Sequence, residues 1–299
     1  MVDIPRVSIL VTVFNREKYL AECLTSILSS SISDFEVIVV DDQSTDRSVE
    51  IARKFAERDQ RIKVHVNPKN LGDYPNRNRA ASLASGTYLK YVDSDDMIGP
   101  DCLKKLLEAM EANPDAAYAI SYPRPVGVPR PLELSPREAY QSHLIERQGI
   151  FSSGPLLAMI RADRFREVGG FRPTARNMGD TILWMELSQR WPMVIVEDAL
   201  TFWRQHEGQE FSLLRGVGMD NAFSYCKLTA VLLRDFLQSP ACPLSDTDRK
   251  RIRRETHLKN LRRVLWHIRH GRFRLACFEL KCAVQVLFGI YQGLPERVN

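Results

Sequence analysis

Three stretches of the sequence decide the fold: residues 7–16 are VSILVTVFNR, residues 37–46 are VIVVDDQSTD and residues 87–96 are TYLKYVDSDD. The first two begin as nearly continuous apolar runs, which are typical of strands buried on both faces of a parallel sheet, and the third begins with a further strand at residues 87–92. Each ends in polar or acidic side chains. Because ligands of open α/β sheets bind outside the carboxyl ends of the strands, these polar ends mark the candidate functional site.

Helix-like segments separate these strands. The expected elements are helices at residues 17–28, 44–58 and 76–84 and a further strand at residues 62–66. Ser44 or Thr45 is the expected N-cap of the second helix. The alternation predicts an α/β fold with a mixed, mostly parallel sheet flanked by helices.

The second half has a looser pattern. Five prolines make residues 123–136 an expected surface loop, and a helix is expected at residues 180–189. From about residue 220 onward, the whole sequence is expected to be helical.

The net charge of +5 on 299 residues is unevenly distributed. Residues 246–299 hold 13 Lys and Arg against 5 Asp and Glu, whereas residues 1–245 hold 29 against 32. Within residues 248–291, arginines alternate with apolar residues, which is typical of a basic amphipathic helix on an anionic membrane surface. The alternative is a helical appendage that packs on the main domain with solvated arginines. No nucleic-acid-binding motif is present, so no nucleic-acid partner is expected.

The sequence lacks the motifs of several function classes. No G-x-G-x-x-G follows the first strand, which disfavours a dinucleotide-binding fold, and no P-loop motif occurs, which excludes a P-loop NTPase. No H-E-x-x-H or G-x-S-x-G motif occurs either. The six cysteines form no C-x-x-C pair, so we expect reduced thiols and no zinc site. The apolar run at residues 7–14 is too short for a signal peptide, and no run of 18 apolar residues occurs. We therefore expect a cytoplasmic chain, peripheral at the inner face of the membrane.

Two carboxylates stand two residues apart where the fourth strand ends. Asp93 and Asp95 can both face a cleft there, and such hard oxygen ligands select Mg²⁺ or Mn²⁺, with phosphate oxygens filling other positions. The alternative is an acidic turn that caps the helix beginning near Pro100, but the strand context favours a metal. Asp41 ends the second strand and can accept a hydrogen bond from a base N–H or a ribose hydroxyl. The alternative there is an N-cap for the next helix.

These motifs resemble those of the family-2 glycosyltransferases of GT-A fold. The matching segments are VSILVTVFNR (7–16), VVDDQSTD (39–46), NLG (70–72), RN (77–78) and YVDSDD (91–96), in the family's order and spacing. The resemblance implies a GT-A-like fold, that of a Rossmann-like nucleotide-diphospho-sugar transferase. It also implies inverting transfer of a sugar from a nucleotide-sugar, usually a UDP-sugar, with Mn²⁺ or Mg²⁺ as the divalent metal.

The resemblance also assigns roles to residues. Thr12, Asn15 and Asp41 fall where the family holds the nucleoside, with Asp41 reaching the uracil. Arg77 falls near the diphosphate. Asp93 and Asp95 fall on the metal-binding D-x-D motif, with Asp95 as the direct metal contact. The remaining residues of the expected donor site are Arg16, Asp42, Asn70, Ser94 and Arg204. One departure from the family is Asn76, which precedes Arg77 where alanine is frequent.

The acceptor side continues the resemblance. Gly179-Asp180 stands where the family commonly has Glu-Asp, so Asp180 is the candidate general base that takes the proton of the acceptor hydroxyl. The alternative is an ordinary acidic residue in the first turn of a helix. Residues 203–206, WRQH, are similar to the family's Tyr-Arg-x-His segment. Arg204 is therefore expected at the diphosphate, and His206 is a third metal ligand, a diphosphate contact or a structural residue.

Together these features predict an inverting, metal-dependent glycosyltransferase of cell-surface glycan biosynthesis. Its expected parts are a nucleotide-sugar-binding half (1–98), an acceptor-binding half (99–215) and a helical basic C-terminal region (216–299). The expected partners are a nucleotide-sugar donor, a glycan or lipid-linked acceptor and the anionic membrane surface. Two alternatives stay open: a nucleotidyltransferase, and a non-catalytic nucleotide-binding scaffold protein of the same fold, for which Gly179 in place of an acid leaves room.

Overall fold

Strands and helices alternate through the amino-terminal half of the chain, as the hydrophobic pattern predicts. The computed structural model describes residues 4–122, 131–173, 178–196, 200–206, 226 and 229–287. Its first elements are β1 (Val7–Val13), α1 (Leu20–Leu28), β2 (Phe35–Asp41), α2 (Ser48–Arg58), β3 (Ile62–Val66), α3 (Asp73–Leu83) and β4 (Tyr88–Tyr91). They are followed by β5 (Met97–Ile98), α4 (Cys102–Ala112), β6 (Tyr118–Ser121), β7 (Leu132–Leu134), α5 (Pro136–Leu144), β8 (Ala158–Arg161), α6 (Ala162–Glu167), α7 (Gly179–Ser188), β9 (Met193–Val196) and β10 (Thr201–Phe202).

The main sheet has eight strands in the spatial order β3-β2-β1-β4-β8-β6-β9-β7. The four neighbouring strands β3, β2, β1 and β4 run parallel to one another. Val13 of β1 lies opposite Asp41 of β2. β8 runs antiparallel to both β4 and β6. Helix α3 packs on β1 and β2, α2 packs on β3, and α4 packs on β6 and β9. The predicted α/β fold, with a mixed, mostly parallel sheet flanked by helices, is confirmed.

The centre of the core is formed by β1 and β2. Every residue of β2 is buried, and β1 is buried except at Thr12, which is half-exposed near its carboxyl end. Burial on both faces removes the usual alternation of polar and apolar residues, and this explains the continuous apolar runs in the sequence. Beyond these strands the chain turns, so the polar residues that follow them lie at one edge of the sheet.

Several boundaries differ from the predicted ones: α1 begins at Leu20 instead of residue 17, and α3 begins at Asp73 instead of residue 76. Helix α2 begins at Ser48 because the backbone N–H groups of Ser44 and Thr45 are held in a loop by the side chains of Asp41 and Asn15, at 2.9 and 2.8 Å. Neither Ser44 nor Thr45 therefore caps the helix. Part of the expected loop at residues 123–136 forms β7, which pairs with β9 at the edge of the sheet. Residues 123–130 lie outside the described residues.

The described residues divide into two compact units. The first holds the sheet and comprises residues 4–143 and 148–204, and the second comprises residues 144–147 and those from 205 onward. The second unit contains α8 (Asp246–Arg269) and α9 (Phe273–Leu287). The predicted division of the chain after residues 98 and 215 stays a prediction.

The predicted helical C-terminal region is confirmed, and its helices are separated by turns. Helix α8 begins at Asp246, where the Oγ of Ser245 accepts a hydrogen bond from the backbone N–H of Asp248 at 3.1 Å. Gly271, with a φ of 67°, separates α8 from α9. Over the described ranges, no helix is both long and apolar enough to cross a bilayer.

A buried carboxylate joins the strands at the edge of the sheet opposite their carboxyl ends. Glu36 of β2 accepts hydrogen bonds from the hydroxyl of Ser8 at 2.7 Å and from the backbone N–H of Ser85 at 2.8 Å. The ammonium of Lys63 lies 2.7 Å from its second oxygen. Burial alone would raise the pKa of Glu36, but the hydrogen bonds from Lys63, Ser85 and Ser8 outweigh it and lower the pKa to about 2. The carboxylate thus stabilises the contacts between β1, β2, β3 and the turn before β4.

Replacing Glu36 by Gln keeps its shape and removes its charge. A native pKa of about 2 against an ordinary value of 4.5 sets an upper limit of about 3 kcal/mol on the stabilisation at neutral pH, and because Lys63 is 55% exposed, solvent screening reduces it to about 1–2 kcal/mol. The stabilisation is complete above pH 4.5 and is lost as the pH falls toward 2. We expect Glu36→Gln to lower the free energy of unfolding by about that amount at pH 7, and the loss to shrink below pH 4.5 in urea titrations. The exposed Glu108→Gln is the control, and equal effects of the two variants would contradict the assignment.

Candidate active site

The polar strand ends meet at one edge of the sheet. Asn15 follows β1, Asp41 ends β2 and Asp93 lies two residues after the end of β4. These three strands are neighbours and run parallel. The structure therefore brings together residues that are separated by up to 78 positions in the sequence.

Asp41 carries an unpaired oxygen at this edge. The residue is 1% exposed, and its Oδ1 accepts a hydrogen bond from the N–H of Ser44 at 2.9 Å. Its Oδ2 is buried and has no hydrogen-bond partner in the part of the chain that the structure describes. A buried carboxylate oxygen without a donor is costly. This oxygen can accept a hydrogen bond from an N–H group of a ligand.

Asn15 and Arg16 fix the loops around Asp41. Asn15 has a φ of 53°, and its Oδ1 accepts the N–H of Thr45 at 2.8 Å. Its own N–H donates to the hydroxyl of Ser44 at 2.9 Å. The Nε of Arg16 donates to Oδ2 of Asp95 at 3.0 Å. The side chain of Asn15 thus holds the loop after β2, while Arg16 joins the loop after β1 to the D-x-D motif.

Asp42 shapes the loop before α3. Its carboxylate accepts the N–H groups of Leu71 and Gly72 at 2.8 and 2.9 Å and the side-chain amide of Asn67 at 2.8 Å. The amide of Asn70 donates to the backbone oxygen of Asp42 at 2.9 Å. Gly72 adopts a φ of 84° at the start of α3, a conformation that favours glycine. The hydrogen bonds of Asp42 are thus made within the protein. The predicted contacts of Asp42 and Asn70 with a nucleotide-sugar stay predictions.

Arg77 lies at the centre of the site. Its side chain is 11% exposed, and its Nη2 lies 2.8 Å from Oδ1 of Asp93. Its Nε donates to Oδ1 of Asp73 at 2.8 Å. Burial lowers the pKa of Arg77, but the carboxylates of Asp93, Asp73 and Asp180 more than offset this, and the net shift is upward. The Nη1 of Arg77 is buried without a partner among the described residues. It can donate to an anionic ligand.

The D-x-D motif forms a crowded acidic turn. Ser94 and Asp95 are buried, at 4% and 8% exposure. Burial raises the pKa of Asp93, Arg77 opposes this, and Asp95 adds to the increase. Burial and Asp93 raise the pKa of Asp96 to about 7. Close negative charges of this kind destabilise the free carboxylates, so the turn favours a bound cation.

The chemistry of this turn suits Mg²⁺ or Mn²⁺, which take oxygen ligands. Within the described ranges, no three His, Cys, Asp or Glu residues are grouped so that they could hold a metal ion. Asp93 and Asp95 can therefore supply only part of a coordination shell. Other oxygens, from a phosphate or from water, would have to complete it.

Arg204 forms hydrogen bonds with two residues of the acidic turn. Its backbone N–H donates to Oδ1 of Asp96 at 2.9 Å, and its Nε donates to the backbone oxygen of Asp95 at 3.0 Å. Its guanidinium forms an ion pair with Glu22 and lies 5.1 Å from the ring centroid of Tyr19. The predicted diphosphate contact of Arg204 stays a prediction. His206 belongs to the second unit, and its predicted metal contact also stays a prediction.

Asp180 lies in the first turn of α7, where a tyrosine contacts it. The hydroxyl of Tyr74 accepts the N–H of Gly179 at 3.0 Å and donates to Asp180. Burial raises the pKa of Asp180 to about 7, with Asp73 adding to the rise, while Arg77 and the Tyr74 hydrogen bond oppose it. A carboxyl group with this pKa is suited to accept a proton near neutral pH.

Tyr74 is not predicted as a site residue from the sequence. The unusual glycine at position 179 is the one feature of the sequence that indicates a bulky neighbour there. A Cβ added at Gly179 would lie 2.4 Å from the ring of Tyr74, so the ring fills the space that a side chain at 179 needs. Tyr74 also stacks on Phe171, with ring centroids 5.1 Å apart. The glycine in place of the family's usual acid is therefore a packing requirement of Tyr74.

Asn78 attaches α3 to the residues that precede α7. Its side chain accepts the N–H of Phe171 at 2.9 Å and donates to the oxygen of the same residue at 2.7 Å. Gly170 has a φ of 73°, and a Cβ there would lie 2.6 Å from Oδ1 of Asn78. Helix α3 thus carries Tyr74, Arg77 and Asn78, which contact both the D-x-D turn and the residues before α7.

Comparison with known sequences identifies related proteins. The sequence model described as glycosyl transferase family 2 matches residues 8–168, more than half of the chain. The uncharacterized glycosyltransferase EpsJ of Bacillus subtilis is 42% identical over 110 residues, which cover 37% of this chain and 32% of EpsJ. Glycosyltransferase GlyA of Streptococcus pneumoniae is 40% identical over 101 residues, which cover 34% of this chain and 14% of GlyA. The similarity thus spans a third or less of the length of these two relatives.

Comparison with solved structures extends over nearly the whole chain. S. aureus TarS 1–349 in complex with UDP-GlcNAc has a TM-score of 0.66 at 20% identity, with 96% of this chain and 93% of that chain covered. The mannosyltransferase PcManGT from Pyrobaculum calidifontis, in complex with GDP-Man and Mn²⁺, has a TM-score of 0.59 at 16% identity, with 95% and 88% covered. At these identities the likeness shows the fold, and the predicted GT-A-like architecture is confirmed.

The packing of Tyr74 against Gly179 can be tested by adding one methyl group. Helix propensity alone predicts that Gly179→Ala stabilises α7 by up to about 1 kcal/mol. We expect the opposite, a destabilisation of about 1–3 kcal/mol in chemical denaturation, because the Cβ would overlap the Tyr74 ring. Gly154→Ala is the matched control, since no atom lies within 4 Å of a Cβ at Gly154 and its φ is −71°. A stabilised Gly179→Ala variant would rule out this packing.

Proposed function

The chain belongs to glycosyltransferase family 2, and we propose that it transfers a sugar from a UDP-sugar to an acceptor hydroxyl with inversion at the anomeric carbon. The observation that carries this proposal is that two buried atoms have no partner among the residues the structure describes: Oδ2 of Asp41, at the end of β2, and Nη1 of Arg77, on α3. The first needs a hydrogen-bond donor, such as the N–H of uracil, and the second needs an anion. A uridine diphosphate offers both groups in one molecule.

The proposed donor site includes a divalent cation. Asp93 and Asp95 would hold Mn²⁺ or Mg²⁺ together with oxygens of the donor diphosphate. A bound cation would stabilise the negative charge that develops on the departing diphosphate. Within the protein, Arg77 holds Asp93 and Arg16 holds Asp95, through contacts of 2.8 and 3.0 Å. The crowded negative charge of the turn supports this assignment.

Asp180 is the proposed general base. An acceptor hydroxyl that attacks the anomeric carbon opposite the leaving diphosphate must lose its proton as the new bond forms. Asp180 has a pKa of about 7, so a large fraction is ionised at neutral pH, yet its basicity is higher than that of an ordinary carboxylate. Tyr74 orients it by a hydrogen bond to its carboxyl group. The acceptor that we propose is a glycan or lipid-linked sugar of cell-surface glycan synthesis, for which the support is the family resemblance.

Donor binding can be measured without knowledge of the acceptor. We expect UDP with Mn²⁺ to raise the melting temperature of the purified protein, because a ligand that binds the folded state stabilises it. Asp41→Asn replaces an acceptor oxygen by a donor or leaves a weaker acceptor, and should weaken UDP binding at least tenfold in calorimetric titrations. The exposed Asp115→Asn is the matched control. Unchanged UDP affinity in Asp41→Asn would contradict the role of Asp41, and no shift with any nucleoside diphosphate would contradict the donor site.

Activity measurements, including a pH profile, distinguish the proposed role of Asp180 from that of Tyr74. Asp180→Asn should leave UDP binding intact and reduce transfer at least a hundredfold. Tyr74→Phe removes a hydrogen bond that lowers the pKa of Asp180. The acidic limb of kcat/KM should therefore move from about pH 7 to higher pH, so that the variant is impaired at pH 7 and recovers in alkaline buffer. Tyr118→Phe, which loses a hydroxyl bonded to Ser188 at 2.8 Å, is the control and should not move the limb.

The two alternative functions give different products. A nucleotidyltransferase would form a nucleotide-sugar from a nucleoside triphosphate and a sugar phosphate, which phosphorus NMR detects directly. A non-catalytic scaffold would bind UDP but would not consume a UDP-sugar with any acceptor. We expect neither outcome: the protein should release UDP from a UDP-sugar, and Asp95→Ala should abolish this release.

A further inference from the structure

One face of helix α8 exposes a continuous aliphatic stripe. Its members follow one another at intervals of three, four and three residues, which places them on one side of the helix. They are Leu258, Leu261, Leu265 and Ile268, with 42%, 50%, 55% and 45% of their surface exposed. Large aliphatic side chains that are exposed in a row mark an interaction surface.

The opposite face of α8 already has partners within the second unit. Ile252, Val264 and His267 are buried on it. The guanidinium of Arg263 contacts the buried carboxylate of Glu279 on α9 at 3.2 Å, and Nε2 of His267 lies 3.3 Å from the same carboxylate. The packing of the hairpin therefore uses the inner face of α8 and leaves the aliphatic stripe outward.

Arginines flank the stripe at helical spacing. Arg254, Arg262 and Arg269 are exposed, and none of them has a carboxylate partner among the residues that the structure describes. Glu255, beside them, is already paired with Arg251 and Arg147. The outward face of α8 therefore combines apolar surface with several uncompensated positive charges.

We propose that this face, defined as the stripe Leu258, Leu261, Leu265 and Ile268 with its flanking arginines, docks on an anionic lipid bilayer. A second copy of the same face would bring like charges together, which disfavours self-association. A nucleic acid would neutralise the arginines but leave four aliphatic side chains in water. A bilayer with anionic headgroups matches both features, because the phosphates meet the arginines and the acyl chains take up the aliphatic groups. The proposal is independent of the donor site, since binding requires no nucleotide.

The test uses the full chain and vesicle flotation. The protein is mixed with vesicles of phosphatidylcholine alone, or of phosphatidylcholine with one third phosphatidylglycerol, at low and high salt. We expect binding only to the anionic vesicles, weakened by salt. Each arginine near an anionic surface contributes about fivefold to partitioning, so Arg262→Glu/Arg269→Glu should reduce the bound fraction at least tenfold. Leu261→Asp/Leu265→Asp should do the same while leaving the helix content and melting temperature unchanged.

The control carries the same change of charge elsewhere. Arg53→Glu/Arg58→Glu alters two exposed arginines of α2 and should bind vesicles like the unmodified protein. Equal loss in this control would reduce the effect to net charge and overturn the proposal. So would equal binding to neutral vesicles, binding unaffected by the α8 variants, a dimer in ultracentrifugation that Leu261→Asp/Leu265→Asp dissociates, or binding to labelled RNA without binding to vesicles. UDP binding by each α8 variant, measured in parallel, distinguishes failure of this proposal from failure of the donor site.

Discussion

The site depends on one buried guanidinium. Arg77 contacts Asp73 and Asp93 directly, and its charge also acts on Asp180. Without this positive charge, Asp73, Asp93 and Asp180 would repel one another, and burial of Asp93 and Asp180 would strengthen the repulsion between those two. The helix that carries Arg77 also carries Tyr74 and Asn78, so one segment of eleven residues sets both the charge balance and the geometry of the site.

Much of the fold could be predicted from the sequence because its strands are buried on both faces. A short apolar run rich in β-branched residues, alternating with helical segments, favours a doubly buried strand, and the polar residues at the strand ends then fall at one edge. The boundaries of α2 could not be predicted in this way. Ser44 and Thr45 have the chemistry of helix caps, but their N–H groups are bound by Asp41 and Asn15, which are close only in the folded protein.

The same reasoning explains which parts of the site the sequence left open. Asp41 and Asp42 are chemically identical neighbours, yet one keeps a buried oxygen free while the other binds the loop before α3. Only the direction of each side chain separates them, and this direction alternates along a strand. Asn76, a departure from the family pattern, likewise has an internal role, since it donates to the backbone of Val40 at 3.3 Å and accepts from Asn67 at 2.9 Å. Local composition cannot distinguish a loop-forming amide from a ligand-binding one.

The contact between Tyr74 and Gly179 also constrains how this sequence can change. The two positions share one volume, so neither can be exchanged freely while the other is kept. A homologue with an acidic residue at position 179 would need a smaller residue at position 74, and its carboxyl group at position 180, the proposed base, would then lack the phenolic hydrogen bond. The pair is therefore a covariation signature: aligned sequences should separate into a tyrosine–glycine class and a small–acidic class. Membership of one class would indicate whether a tyrosine hydrogen bond orients the carboxyl group at position 180.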